Sequence, residues 1–142
     1  MIIPDLNLLV YAYNASAPHH ASARHWWEDT VGGHQPVGIP WVVALGFLRI
    51  LTSRVVMVQP MEVSRALAHL GSWFEQPAVS LLQPGPRHLA ILTGFSEAGA
   101  LSSALVTDAH LAALAIEYQA VVHSNDSDFS RFPGLRWHNP LP

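Results

Sequence analysis

Four aspartates occupy positions from which a folded chain would bring carboxylates together. Asp5 follows a short β-branched run at the start of the chain, Asp108 lies in the segment VTDAHL, and Asp126 and Asp128 lie in HSNDSDF. Two carboxylates about 4 Å apart repel each other by roughly 4 kcal/mol at an effective dielectric constant near 20. A cluster of three or four such groups therefore requires a cation that cancels the repulsion.

Each aspartate also has a purely structural explanation. Asp5 has the position of a helix N-cap, whose oxygen accepts a backbone N–H two or three residues further on. Asp108 would complement the dipole of the helix that it opens. Asp126 and Asp128 are typical turn residues. Any one of these explanations suffices for one residue, whereas the coincidence of all four favours a shared site.

The type of ion follows from the available ligands. The chain has no cysteine, and His19, His20 and His25 do not match the spacing of a zinc-binding helix. Carboxylate oxygens favour Mg²⁺ or Mn²⁺ over zinc. Such an ion lowers the pKa of a bound water and stabilises charge on a reacting phosphate. The aspartates are therefore typical of a metal-dependent nuclease.

The elements that would position these residues alternate along the chain. Periodicity and turn signals predict strands at 2–3, 37–40, 78–82, 120–124 and 135–138, and helices at 6–13, 19–31, 41–54, 62–75, 86–98 and 107–119, the last capped by Thr107. This order indicates a single α/β domain over residues 1–142, with a mostly parallel sheet of about five short strands. The first and fourth strands would be central neighbours, and ligands bind beyond the carboxyl ends of such strands.

Composition limits the function further. The 142 residues carry a net charge of −3 with seven basic residues, all of them arginine, so whole-protein attraction to phosphate is not expected. The absence of cysteine fits a reducing compartment, and no secretory signal or membrane-spanning run is predicted. Half of the residues are apolar, which suggests a homodimer or another partner-covered surface. Trp26 and Trp27 are adjacent, so we expect one to face the core and the other to contact a partner or a base.

Three segments together resemble one known family. PDLNLLVYA, PWVVALGFLRILTS and VTDAHLAALAIEYQAVVHSNDSDFSRFPGLRW are similar to the PIN-domain ribonucleases, specifically the VapC-type toxins of bacterial toxin–antitoxin pairs. The resemblance implies a PIN-like three-layer fold and a Mg²⁺- or Mn²⁺-dependent endoribonuclease of the cytoplasm. It also implies a structured RNA substrate, such as tRNA or ribosomal RNA, and inhibition by a cognate VapB-like antitoxin.

The resemblance assigns roles to individual residues. Asp5, Asp108 and Asp126 match the metal-binding aspartates of the family. Asp128 matches the second acid of the late turn, where it would be a catalytic residue in the outer shell of the ion. Asn7 occupies a position that often supports the first aspartate.

Thr107 and Ser124 are further supporting candidates beside these acids. Many family members carry a glutamate in a pattern like AEFLR, whereas this chain has LGFLR, with Gly46 in its place. The glycine would admit substrate or a water, or else weaken metal binding. Arg49, one turn further on, has three roles open to it: contact with a substrate phosphate, neutralisation of the acids, or an ordinary surface position.

Two other classes of protein share part of this pattern. A phosphoacceptor receiver domain also gathers acids at a sheet edge, but it needs a lysine, and this chain has none. The stronger alternative is a catalytically weak or inactive PIN-fold module that binds RNA or antitoxin without cleavage. Retention of four aspartates favours catalysis, since uncompensated buried charges are costly in a pure scaffold.

Overall fold

A computed structural model describes all residues from 1 to 142 and contains one parallel five-stranded sheet. The elements along the chain are β1 (Ile2–Pro4), α1 (Leu6–Tyr13), α2 (His20–Val31), β2 (Val37–Pro40), α3 (Trp41–Leu51), α4 (Val63–Phe74), β3 (Val79–Leu82), α5 (His88–Glu97), α6 (Val106–Tyr118), β4 (Val121–His123) and β5 (Trp137–His138). The strand order is β3-β2-β1-β4-β5, so the predicted α/β class and the predicted pairing of β1 with β4 are confirmed.

The strand order explains why helices cover both faces of the sheet. From β1 the chain steps outward through β2 to β3, and then it crosses to β4 and β5 on the other side of β1. Parallel crossover connections are almost always right-handed. Steps in opposite directions therefore place α1 to α4 on one face and α5 with α6 on the other.

An aromatic cluster holds the first helical layer together. The ring of Phe47 on α3 lies 4.7 Å from that of Trp73 on α4, and Trp27 on α2 packs edge-on against Trp73 at 5.1 Å. Tyr13, the last residue of α1, lies 5.1 Å from Phe47 and accepts a hydrogen bond from Trp73 Nε1 at 3.0 Å. Four helices thus share one buried cluster, which fixes the end of α1 against α2, α3 and α4.

The second layer contains a buried polar link. His88 on α5 contacts two residues of α6, with Nδ1 at 2.6 Å from Glu117 Oε1 and Nε2 at 2.9 Å from His110 Nδ1. The side chains of His88 and Glu117 are only 11% and 6% exposed. Because buried polar groups are costly without partners, this network ties α5 to α6 in one register.

Several predicted details of the helices are wrong. Thr107 does not cap α6, because a short 3-10 turn at Ser103–Leu105 leads into the helix and places Thr107 inside its first turn. The third helix ends at Leu51, three residues early, where the hydroxyl of Thr52 donates to Leu48 O. Nothing in the chain is both long and apolar enough to form a membrane-spanning helix.

Candidate metal centre

The carboxyl ends of β1 and β4 meet where Asp5 lies. The backbone N–H of Asp5 donates to His123 O at 2.9 Å, which joins the end of β1 to the end of β4. Oδ1 of Asp5 accepts from the N–H of Leu6 at 2.7 Å, so the predicted N-cap is confirmed, although it uses the very next residue. Pro4 ends the strand and α1 starts at once, which holds this carboxylate at the edge of the sheet.

Ser124 connects the residues of this edge to one another. Its buried hydroxyl donates to Asp5 Oδ2 at 2.7 Å and accepts from the backbone N–H of Asp126 at 2.9 Å. Asn7 Nδ2 also donates to it, at 3.3 Å, so Asn7 supports Asp5 through Ser124 and not by direct contact. Both oxygens of Asp5 thus accept a hydrogen bond. Each carboxylate oxygen retains a second lone pair.

Three carboxylates form the open part of the site. Oxygens of Asp108, Asp126 and Asp128 all lie within 4.8 Å of one another. Asp126 Oδ1 accepts from the N–H of Asp128 at 2.9 Å, and this turn aims both side chains at the start of α6. The guanidinium of Arg131 lies 3.4 Å from Asp128 Oδ1, in an exposed contact. The structure thus brings together the acids that are far apart in the sequence.

Burial and nearby negative charge raise the pKa of two carboxyl groups at the site, those of Asp5 and Asp108. Burial raises the pKa of Asp5, while hydrogen bonds from Ser124 and Leu6 oppose that change. Burial and then the charges of Asp5 and the other two acids raise the pKa of Asp108 to about 6. Part of this rise is the mutual repulsion of negative charges. The protein therefore holds like charges together at a cost in stability, as functional sites often do.

The donor set suits a hard divalent cation. Carboxylate oxygens are the ligands that Mg²⁺ and Mn²⁺ prefer, and a separation of 4.8 Å or less allows oxygens on opposite sides of one ion to contact it. Asp108, Asp126 and Asp128 are partly exposed, so water and a phosphate oxygen can complete the shell. Such an arrangement can bind a cation beside a phosphodiester.

Gly46 does not open a space at the site. A Cβ at this position would lie 2.5 Å from Leu6 Cδ2, so the side chain of Leu6 fills the volume next to the glycine. This result corrects the expectation that the glycine admits substrate or a water, and it supplies a packing reason for a glycine inside α3. Arg49 on the same helix is exposed and forms no ion pair with any carboxylate. The nearby counter-ion is Arg131 instead, which the sequence reasoning missed although its spacing from Asp128 was visible.

The early histidines and tryptophans lie elsewhere. His25 makes an exposed contact with Asp29, and His20 Nδ1 contacts Tyr11 O at 2.8 Å, so these histidines form no metal cluster. Trp27 is buried in the core, as expected of one of the pair. Trp26 is partly exposed, and its Nε1 donates to His123 Nδ1 at 3.2 Å within the chain. The expected contact of the second tryptophan with a partner or a base stays a prediction.

Comparison with known proteins identifies close relatives. The sequence profile of the PIN domain matches residues 2–135. Ribonuclease VapC33 of Mycobacterium tuberculosis is 48% identical over 141 residues, which cover 99% of both chains. Ribonuclease VapC37 of the same organism is 38% identical over 140 residues, covering 99% of this chain and 97% of the relative.

Solved structures share the fold at lower identity. VapBC2 from Rickettsia felis, bound to a DNA fragment from its promoter, superposes with a TM-score of 0.69 at 18% identity over the whole of both chains. VapC20 of M. tuberculosis, a toxin that cleaves the sarcin–ricin loop, superposes with a TM-score of 0.66 at 17% identity, covering 96% of this chain and 99% of that one. With the profile match and the full-length relatives, these findings show that the chain belongs to the PIN-domain family, within its VapC group.

Proposed function

We propose that this protein is a Mg²⁺- or Mn²⁺-dependent endoribonuclease. The observation that carries the proposal is the group of Asp108, Asp126 and Asp128, whose oxygens lie within 4.8 Å of one another at the carboxyl edge of a parallel sheet. Full-length relatives at 48% and 38% identity are named ribonucleases, which supports RNA as the substrate class.

Some residues would bind the ion, and others would keep those ligands in position. Asp108, Asp126 and Asp128 lie close enough together to contact one ion. Asp5 lies outside that group, and it would reach the ion only through a remaining lone pair of its hydrogen-bonded carboxylate. The family resemblance instead assigns Asp5 to the ion and Asp128 to the outer shell. When bound, the ion supplies charge that lowers the pKa of water and stabilises negative charge on the phosphate. Asp108 is the acid whose protonation changes near neutral pH, because its pKa is raised to about 6. Above that pH it is ionised and available to the cation.

Ser124, Asn7 and Thr107 would act as supports. Ser124 and Asn7 keep the Asp5 carboxylate oriented through one chain of hydrogen bonds. Thr107 precedes Asp108 in the first turn of α6 and is exposed, so it lies where it can contact substrate or solvent. Arg49 is exposed and unpaired, which leaves its guanidinium available to a phosphate of the RNA.

The substrate and partners follow from the family. A structured RNA such as tRNA or ribosomal RNA is the proposed substrate, and VapC20, which shares the fold, cleaves the sarcin–ricin loop. A VapB-like antitoxin is the proposed partner, since several proteins of this fold were solved as VapBC complexes. Trp41 and Leu45 on α3 are 52% and 55% exposed beside the acidic edge, which supports a homodimer or antitoxin contact there. The proposed location is the cytoplasm.

The second candidate is a PIN-fold module that binds RNA or antitoxin without cleaving RNA. The observation that favours it is Gly46, which stands where the family resemblance implies an acidic residue and whose surroundings are filled by Leu6. One ligand fewer would weaken the hold on an ion. The retained group of three carboxylates favours cleavage over this alternative.

Cleavage of total bacterial RNA by antitoxin-free protein tests the two candidates. The reaction is run with Mg²⁺, with Mn²⁺ and with EDTA, on the wild type, on Asp108→Ala and on Asp29→Ala, which removes an exposed aspartate outside the site. We expect discrete metal-dependent fragments that Asp108→Ala abolishes and Asp29→Ala retains. Intact RNA under every condition, with folded protein, would refute cleavage and favour the binding module instead.

A further inference from the structure

Three aromatic rings form a surface cluster next to the acidic edge. The ring centroids of Trp26 on α2 and His123 at the end of β4 are 5.9 Å apart, and those of His123 and His138 on β5 are 5.1 Å apart. His138 is exposed, while Trp26 and His123 are partly exposed. We call these three rings the aromatic platform. None of them has a role in holding the ion or the aspartates through its side chain.

The backbone joins the platform to the acidic site. The carbonyl of His123 accepts from the N–H of Asp5 at 2.9 Å, and the next residue, Ser124, bonds both Asp5 and the N–H of Asp126. Because His123 and Asp126 are three positions apart in the chain, their Cα atoms are at most about 11 Å apart. The rings are therefore within reach of a base whose nucleotide has its phosphate beside the acids.

The hydrogen bonds of His123 leave one donor of its ring free. An indole N–H can only donate, so Trp26 Nε1, at 3.2 Å, makes His123 Nδ1 the acceptor. The hydrogen of the neutral imidazole then lies on Nε2, which is not buried and makes no hydrogen bond within the chain. The platform thus presents an oriented N–H as well as ring surface.

A second oriented donor belongs to Asn125, between Ser124 and Asp126. The backbone N–H of Leu141 donates to Asn139 Oδ1 at 3.1 Å, so the other end of that amide is its NH₂ group. Asn139 Nδ2 donates in turn to Asn125 Oδ1 at 3.1 Å. The NH₂ group of Asn125, which is partly exposed, therefore makes no hydrogen bond within the chain. Free donors thus lie on both sides of Ser124 in the sequence.

We propose that the aromatic platform and Asn125 form a nucleobase subsite for the RNA substrate. One base stacks on the exposed ring of His138, and a carbonyl of that base accepts from Asn125 Nδ2. Histidine and tryptophan rings are common stacking partners of unpaired bases, and the edge of a base supplies acceptors. An apolar protein segment would cover the rings but leave both donors unpaired. This inference rests on the proposed function, because it takes RNA as the substrate.

An NMR titration with an oligouridylate of eight nucleotides tests the subsite. The protein carries Asp108→Ala, so that the RNA stays intact, and Mg²⁺ is present. Binding is followed through the indole N–H signal of Trp26, assigned from its loss in Trp26→Phe. An abasic strand of the same length and charge is the control for phosphate contacts. We expect oligouridylate to shift the Trp26 signal and to bind at least tenfold more tightly than the abasic strand.

Variants of the Asp108→Ala protein locate the base. His138→Ala removes an exposed ring, so it should raise the dissociation constant of oligouridylate about tenfold and leave that of the abasic strand unchanged. Asn125→Ala removes the free donor and should raise the dissociation constant of oligouridylate about fivefold. The controls His34→Ala and Gln76→Ala remove an exposed imidazole and an exposed amide that precede strands, at the opposite edge of the sheet, and should change neither constant. Because His138 is exposed, its variant remains informative if melting shows that Asn125→Ala unfolds.

The binding measurement separates this inference from cleavage itself. Base-dependent binding that His138→Ala weakens supports the subsite even if the wild type leaves total RNA intact, a result that refutes only cleavage. Equal affinity for oligouridylate and the abasic strand would overturn the subsite even if RNA is cleaved. An unchanged Trp26 signal up to roughly 1 mM oligouridylate, at which a 0.1 mM site would be about nine-tenths filled, would do the same. Weaker antitoxin binding by His138→Ala, with unchanged affinity for oligouridylate, would assign the platform to a protein contact instead.

Discussion

Replacing Asp108 by asparagine should stabilise the metal-free protein. The raised pKa of Asp108 means that the folded state binds a proton more tightly than the unfolded chain does. Ionised Asp108 therefore opposes folding at pH values above its folded pKa, and the penalty disappears as the pH falls below about 4, where the group is protonated in both states. Asparagine keeps the shape and removes the charge.

The magnitude can be worked out from the shift. A change from 3.8 to about 6 corresponds to about 3 kcal/mol for a group shielded from solvent. Asp108 is only half-buried, so screening by water reduces the expected gain to about 1 kcal/mol. At pH 8 this equals a rise of about 3 °C in melting temperature for a chain of this size. At pH 5 about half of the gain should remain.

Thermal unfolding in EDTA at pH 5 and pH 8 measures the effect, with Asp29→Asn as an exposed control whose change should stay within about 0.5 kcal/mol. Saturating Mg²⁺ should reverse the order, because an ion that binds only the folded state stabilises the wild type more than a variant that lacks a ligand. An Asp108→Asn protein that melts below the wild type in EDTA at pH 8 would refute the reasoning and make this acid a structural residue.

Three further substitutions test the supports of the site and the fold. Ser124→Ala removes the hydroxyl that hydrogen-bonds Asp5, Asn7 and the N–H of Asp126. It should therefore lower the free energy of unfolding, measured in urea, by about 2 to 3 kcal/mol and slow RNA cleavage. A loss under about 0.5 kcal/mol would contradict that role. Gly46→Ala should destabilise the wild type by about 1 kcal/mol, because the new methyl group contacts Leu6. In a Leu6→Ala background the same substitution should stabilise the protein, because alanine favours the helix over glycine. Equal effects in both backgrounds would disprove the packing explanation. His88→Leu should lower the free energy of unfolding by about 3 kcal/mol, because it leaves the buried carboxylate of Glu117 unpaired. Adding Glu117→Met should restore most of that stability. No recovery would show that the loss comes from packing alone.

Local physics explains which elements were predictable. Ile2 to Tyr13 reads correctly as strand, cap and helix because β-branched residues, a proline and an amphipathic run act within a few residues of one another. The start of α6 was misjudged, because Thr107 is a good cap in isolation while the preceding 3-10 turn moves the true start to Val106. Helix ends depend on such neighbouring geometry, so they are the least local feature of a helix.

The sequence also placed the four aspartates at one edge, since strand order and parallel direction put the ends of β1 and β4 side by side. Only the tertiary structure shows how the four aspartates differ. Ser124, 119 positions from Asp5, donates a hydrogen bond to one oxygen of that carboxylate, whereas oxygens of the three other aspartates lie within 4.8 Å of one another. The same holds for the contact of Leu6 with Gly46. Residue types and periodicity can be read within a short segment of the chain. Contacts between distant segments depend instead on how the helices pack, and no single segment determines that packing.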